Sequence, residues 1–220
     1  MIITIDGPAG GGKSTVARKL AAVLGIAFLD TGATYRAVTL AALRRGVDLE
    51  DTAALSRLAS AVKIELLPGR DGTRVLLDGA DVTSEIRSAE VSDNAHYVAG
   101  SGPVRAVLVD LQRRIGSVLG NFVAEGRDQG SVVFPQADVK FYMDASPEVR
   151  ARRRFEEMLA SGQEAEFRQV LEAILLRDGR DQSRPVAPLV KPAGAIKIDT
   201  SHLTADEVAA ELLRHVKERP

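Results

Sequence analysis

The feature that most constrains the fold is a glycine-rich stretch near the start of the chain. Residues 7–14 fit the pattern G-x-x-x-x-G-K-[ST] and directly follow a short apolar run, residues 1–5. A strand, a glycine-rich turn and a helix together direct backbone N–H groups and the positive end of a helix dipole at an anion. The pattern therefore predicts a phosphate site formed by Gly7, Pro8, Ala9, Gly10, Gly11, Gly12, Lys13, Ser14 and Thr15.

Two side chains of this loop suit a nucleoside triphosphate. Lys13 is expected to reach the β- and γ-phosphates of the nucleotide, and the Ser14 hydroxyl is expected to bind the Mg²⁺ that bridges them. The alternative is a glycine-rich turn that contains Lys-Ser by coincidence. The flanking strand and helix patterns favour the nucleotide site.

Composition narrows the class of protein. The chain has 220 residues and a formal net charge of −1, so it gives no reason to expect a general binder of nucleic acid or membranes. Cysteine is absent, which excludes disulfides, thiolate metal sites and thiol nucleophiles. The first apolar run is too short for a signal sequence or a membrane span. We expect a cytoplasmic enzyme.

The apolar patterns predict an α/β fold. Five short runs read as buried parallel strands, and they begin at residues 1, 26, 122, 139 and 195. Amphipathic segments between them predict helices, one with Val16, Leu20, Val23 and Leu24 on its inner face and a long one from Pro103 with an apolar series that ends at Val118. Two β-rich runs at 63–67 and 73–78 flank a turn and predict an antiparallel hairpin.

Charged residues cluster where predicted strands end, which is where open α/β sheets bind ligands. The first cluster, residues 30–36, carries Tyr35 and Arg36, and the second, residues 125–130, contains Arg127 and Asp128. The alternatives are a solvated arginine beside a core tyrosine and an ordinary Arg-Asp pair in a polar loop.

A third charged segment lies between Glu148 and Arg184. Its arginines and acids balance, so a salt-bridged surface is a serious alternative to a binding site. Arg177, Arg180 and Arg184 share one face if the helix persists that far, and guanidinium groups so placed favour anions between them.

Taken together, these motifs resemble the bacterial cytidylate kinases over nearly the whole chain. The phosphate loop alone indicates only a P-loop protein, whereas the hairpin insertion and the Arg-Asp cluster at residues 177–189 are more specific. The resemblance implies a P-loop NTPase fold with a five-stranded parallel sheet, a core of residues 1–62, 101–147 and 185–220, a nucleoside-monophosphate-binding insertion at about 63–100, and an arginine-rich lid at about 148–184.

The same resemblance implies the reaction of MgATP with CMP or dCMP to give ADP and CDP or dCDP. It places Arg36, Arg127 and Arg184 on the acceptor phosphate, and Tyr35 in the same acceptor region. It places Thr31, Arg105 and Asp128 around the cytosine, and Arg177 and Asp181 near the sugar. We further expect Arg150, Arg153 and Arg180 to close over the polyphosphate, and we expect a monomer.

Two residues depart from the family pattern. Glu125 stands where the family usually has Asp, and His96 stands where a small hydroxyl residue is expected near the base.

Two other functions remain open. A kinase for another small acceptor would need a carboxylate base and fewer arginines. A nucleotide-dependent switch would carry D-x-x-G and N-K-x-D elements, which the sequence lacks.

Overall fold

The computed structural model describes residues 1–69 and 72–218. Its strands are β1 (Ile2–Asp6), β2 (Ala27–Asp30), β3 (Ile64–Gly69), β4 (Gly72–Leu77), β5 (Ala80–Asp81), β6 (Phe122–Gly126), β7 (Val139–Asp144) and β8 (Ile196–Asp199). Its α-helices are α1 (Lys13–Leu24), α2 (Gly32–Arg44), α3 (Thr52–Ala61), α4 (Ala89–Gly100), α5 (Gly102–Leu119), α6 (Pro147–Ala160), α7 (Phe167–Ser183) and α8 (Ala205–Lys217).

Five strands form one parallel sheet in the order β2-β6-β1-β7-β8. The predicted five-stranded parallel sheet is confirmed. Because all five strands run the same way, their carboxyl ends meet at one edge. The phosphate loop follows β1 at the middle of that edge, with β6 and β7 on either side.

Helices cover both faces of the sheet, and the side chains of β6 alternate between these two faces. Val123 packs with residues of α1 and α8, whereas Phe122 and Ala124 pack in the cluster that includes residues of α2, α3 and α5. This alternation follows from the two-residue period of a strand.

Two apolar residues assigned to inner helix faces lie outside the core. Val23 is 66% exposed and Val118 is 87% exposed. The leucine that follows each valine, Leu24 or Leu119, still packs against the core, so the two valines lie at the edge of the apolar face of their helices. The assignment of Val23 to the inner face was wrong, and the apolar series of the long helix extends one residue beyond its buried face at Val118.

The predicted hairpin forms β3 and β4, and β5 extends it to a three-stranded antiparallel sheet. Its turn residues Arg70 and Asp71 lie outside the described residues. A single 3₁₀ turn, Glu85–Arg87, connects β5 to α4.

The arginine-rich segment consists of two helices, α6 and α7. A small apolar cluster joins them, centred on Ala151, Val170 and Ile174. Because α7 ends at Ser183, Arg184 lies beyond the helix in an extended conformation. The conditional expectation that Arg184 continues the arginine face of this helix was therefore wrong.

The turn into the phosphate loop depends on Gly7. Its φ is +149°, and a Cβ there would lie 2.0 Å from the carbonyl oxygen of Met143 on the neighbouring strand. Neither backbone can move away without breaking the parallel pairing of β1 with β7.

We expect Gly7→Ala to lower the free energy of unfolding by at least about 2 kcal/mol, since it adds both an overlap and a strained φ. Chemical denaturation measures this. Gly100→Ala is the matched control, because a Cβ there meets nothing within 4 Å and its φ is ordinary. Equal stability of the two variants would contradict the proposed constraint.

Candidate active site

The phosphate loop presents unpaired amides to the sheet edge. Gly12, with φ +76°, is the N-cap of α1, and no side chain of the described residues caps this helix or places an acid in its first turn. Asp51, Ser88, Ser101, Ser146 and Thr204 cap α3, α4, α5, α6 and α8, whereas the N-cap residues of α2 and α7, like that of α1, make no capping hydrogen bond with their side chains. The N-terminus of α1 thus keeps its positive end available for an anion.

Lys13 is buried beneath this loop. Its ammonium group donates a hydrogen bond to the carbonyl oxygen of Pro8 over 2.6 Å. Burial, and then the positive charge of Arg127, lower the pKa of Lys13 to about 7. A negative phosphate group beside it would reverse this shift, because it favours the charged form.

Ser14 and Glu125 approach each other across the sheet edge. The Ser14 hydroxyl donates to Glu125 Oε1 over 2.7 Å. Glu125 is buried and belongs to β6. The longer side chain of this glutamate thus reaches the first turn of α1.

The three arginines expected to bind the acceptor phosphate each face a carboxylate. Arg36 donates to Asp30 over 2.9 Å, and Arg127 donates to Asp181 over 2.8 Å. Arg184 lies 3.9 Å from the other oxygen of Asp181. Burial opposes ionisation of Asp181, but the charges of Arg127 and Arg184 outweigh it and lower its pKa.

The residues expected around the base form a second, deeper group. Arg105 and Asp128 make a buried ion pair, and the Arg105 guanidinium lies over the Tyr35 ring, 5.2 Å from its centroid. Burial raises the pKa of Tyr35 to about 12, so this phenol stays protonated. The Thr31 hydroxyl donates to the Glu125 carbonyl oxygen.

Electrostatic effects link these groups into one site. The pKa of Arg177 is lowered to about 10, first by partial removal from solvent and then by the charge of Arg127, with Arg36 acting in the same direction. Burial lowers the pKa of Arg184, and Arg105 and Arg127 add to this. The structure therefore brings together most of the expected residues: Lys13, Arg36, Arg105, Arg127, Asp128, Arg177, Asp181 and Arg184.

The three arginines expected to close over the polyphosphate occupy different surroundings. Arg150 is buried, pairs with Asp178 over 2.6 Å and donates to the Ala9 carbonyl oxygen of the phosphate loop over 3.0 Å. Arg153 donates to Thr200 and Leu203 in the loop after β8. Arg180 is exposed on α7.

Comparisons with known proteins identify the family. A cytidylate kinase family model matches residues 3–218. The cytidylate kinase of Carboxydothermus hydrogenoformans is 47% identical over 97% of this chain and 96% of its own length. That of Pelotomaculum thermopropionicum is 49% identical over 97% and 95%. The chain belongs to the cytidylate kinase family.

Solved structures show a similar fold at low identity. A protein from Eubacterium ventriosum superimposes with a TM-score of 0.52 at 13% identity, over 100% of this chain and 99% of that chain. A protein from Thermus thermophilus gives a TM-score of 0.50 at 18% identity, over 100% and 98%.

Among the described residues of this cytidylate kinase family member, no helix has both the length and the apolar composition that crossing a membrane requires.

Sequence reasoning gave no role to two carboxylates, Asp30 and Asp6, that bind groups of this site. Asp30 accepts hydrogen bonds from Arg36, from Arg87 and from the Ala33 N–H. Asp6 accepts from the N–H groups of Gln129 and Gly130, each over 2.7 Å, and burial raises its pKa to about 7. The available signal was an acid as the last residue of a buried strand, directly before a glycine-containing turn.

The lowered pKa of Lys13 predicts proton uptake on donor binding. At pH 8 the free protein holds Lys13 mostly neutral, and a bound polyphosphate raises its pKa again. Binding of ATP should therefore take up close to one proton at pH 8, and affinity should fall as pH rises above about 7. Calorimetry in two buffers of different ionisation enthalpy measures the uptake.

Lys13→Met should abolish this proton uptake. Lys19→Met is the control, because Lys19 is an exposed lysine of the same helix that pairs with Asp206. Wild-type binding without proton uptake at pH 8 would contradict the assigned charge state.

Proposed function

We propose that this protein transfers the γ-phosphoryl group of ATP to CMP or dCMP, giving ADP and CDP or dCDP. The observation that carries the proposal is the meeting of two cationic regions at one sheet edge. One is the phosphate loop with Lys13, and the other is the arginine group beside the buried Arg105–Asp128 pair. Family membership favours this reaction over a kinase for another small acceptor and over a nucleotide-dependent switch.

The triphosphate of the donor ATP binds at the phosphate loop, and the nucleoside of ATP fits a neighbouring cavity. This cavity has a volume of about 520 Å³ and lies among the carboxyl ends of β7 and β8, α6 and α7. Arg150 lines it and also donates to Ala9 of the phosphate loop, so cavity and loop adjoin. A nucleoside triphosphate can therefore extend from one into the other.

Ser14 and Glu125 would hold Mg²⁺ beside the donor phosphates. Their hydroxyl and carboxylate oxygens are hard ligands 2.7 Å apart, and Mg²⁺ binds such ligands together with phosphate oxygens and waters. When bound, the ion neutralises charge on the β- and γ-phosphates. The glutamate in place of the usual aspartate still reaches Ser14, so this departure leaves the donor set intact.

The acceptor phosphate binds among Arg36, Arg127 and Arg184. Arg36 Nε and Arg184 Nη2 are buried and make no hydrogen bond within residues 1–69 and 72–218. Buried donors without partners cost free energy, which an anionic ligand would recover. Arg177 and Asp181 would contact the sugar, and Thr31, Tyr35, Arg105 and Asp128 would surround the base.

The transfer needs positioning and charge rather than a protein nucleophile. A nucleoside monophosphate is already largely ionised near pH 7, so its phosphate oxygen can attack the γ-phosphorus directly and in line. Lys13 and the arginines stabilise the charge that shifts toward ADP during this step. Holding both nucleotides at one edge supplies the required proximity.

The insertion and the α6–α7 pair would act as acceptor lobe and lid around the core. Closure excludes water, which otherwise competes for the γ-phosphoryl group. Arg153 and Arg180 are the cations that lid closure would bring toward the polyphosphate. In this proposal the protein acts as a monomer in the cytoplasm and needs no nucleic acid or membrane.

An ADP-release assay across a panel of nucleoside monophosphates tests the reaction. We expect CMP and dCMP to give the highest kcat/KM, and Lys13→Ala to lower kcat by about 10²-fold or more while CMP binding stays close to wild type. Turnover without any preference for cytosine nucleotides, or near-normal kcat in Lys13→Ala, would contradict the proposal.

Base selectivity is assigned to Asp128. Its carboxylate can accept from the cytosine N4 amino group but not from the uracil O4. Asp128→Asn should lower the ratio of kcat/KM for CMP to kcat/KM for UMP, because an amide offers both a donor and an acceptor. The expected decrease corresponds to roughly 1–3 kcal/mol of discrimination.

The control for that variant is Asp178→Asn, which also breaks a buried arginine pair but lies in the lid. It should lose stability without changing the CMP-over-UMP ratio. If Asp128→Asn lowers both activities in parallel, selectivity resides elsewhere in the site.

A further inference from the structure

Asp30 receives more positive charge than it can neutralise. Its side chain is 3% exposed, and its Oδ2 accepts from Arg36 over 2.9 Å and from Arg87 over 3.2 Å. Its Oδ1 accepts from the Ala33 N–H at the start of α2, where the helix dipole is positive. One carboxylate thus faces two guanidinium groups and a helix N-terminus.

Arg87 makes this contact with only one of its donors. It reaches Asp30 through one terminal nitrogen, and its side chain is 53% exposed. An arginine carries five N–H donors, and within residues 1–69 and 72–218 Arg87 uses one of them. Exposed ion pairs contribute little to stability, which makes a purely structural role for Arg87 weak.

The shared contact with Asp30 places the guanidinium of Arg87 beside that of Arg36. Arg36 shares the Asp30 oxygen with Arg87, and Arg36 acts electrostatically on Arg177. Arg36 Nε is itself buried and lacks a partner among the described residues. The surplus charge therefore lies at the acceptor side of the sheet edge.

Resting on the proposed function, we infer that Arg87 is a further ligand of the acceptor phosphate. Asp30 holds Arg87 and Arg36 side by side with a single negative charge, and the acceptor phosphate supplies the further negative charge that two guanidinium groups require. Arg87 belongs to the 3₁₀ turn between β5 and α4, so it is a cation that the insertion contributes. Acceptor binding and the position of the insertion are thereby linked through one side chain.

The test separates contact with the phosphate from general support of the site. Affinity for CMP is measured by calorimetry, and affinity for cytidine, which lacks the phosphate, is measured as competitive inhibition of CMP turnover. In Arg87→Met we expect CMP to bind roughly 10- to 100-fold more weakly, the loss of one charge-assisted contact, with cytidine affinity unchanged. Arg87→Lys should restore part of the loss, and KM for ATP should stay the same.

Arg44→Met is the matched control. Arg44 pairs with Glu85 of the same 3₁₀ turn over 2.5 Å, on the surface. It should leave CMP and cytidine affinity near wild type. If Arg87→Met leaves CMP affinity unchanged, or weakens CMP and cytidine equally, Arg87 is not a phosphate ligand. Wild-type protein that fails to use CMP would instead refute the proposed function, so the two failures are distinguishable.

Discussion

Repulsion between like charges is the constraint on which this site depends. Lys13, Arg36, Arg105, Arg127, Arg177 and Arg184 converge on one sheet edge. Two cations 6 Å apart repel by about 3 kcal/mol at an effective dielectric constant of about 20. Asp30, Glu125, Asp128 and Asp181 offset part of this. Burial is the first cause of the lowered pKa values of Lys13 and Arg177, and the positive charge of Arg127 adds to it, so a bound polyanion would stabilise the charged form of both side chains.

The same constraint connects α7 to the core. Arg127 follows β6 and is paired with Asp181 of α7, whose carboxylate also faces Arg184. An acceptor phosphate bound at Arg127, as proposed, would share that guanidinium with Asp181. In that case substrate charge and the position of α7 would be coupled through this ion pair, and the proposed lid would not depend on apolar contacts alone.

Local sequence was enough to predict the five strands, most helices and the phosphate loop, because strand alternation, caps and glycine turns act over a few residues. The partners of the charged side chains were not predictable in this way. Arg105 and Asp128 are 23 positions apart, Arg127 and Asp181 are 54 apart, and Ser14 and Glu125 are 111 apart. The packing of helices on the sheet brings them together, and the assignment of individual residues to the acceptor phosphate, the base and the sugar came from family resemblance.

Asp6 connects the strand before the phosphate loop to the turn after β6. It is the last residue of β1, so the phosphate loop begins at the next residue, and its carboxylate accepts from the two N–H groups that follow Asp128. Because burial raises its pKa to about 7, the stability it contributes is lost as pH rises from about 4 toward 7. Burial of a carboxylate is energetically unfavourable. The geometry of Asp6 accounts for its presence. The proposed in-line transfer would depend on the distance between the loop after β1 and the turn after β6, and Asp6 connects that turn to β1 through hydrogen bonds.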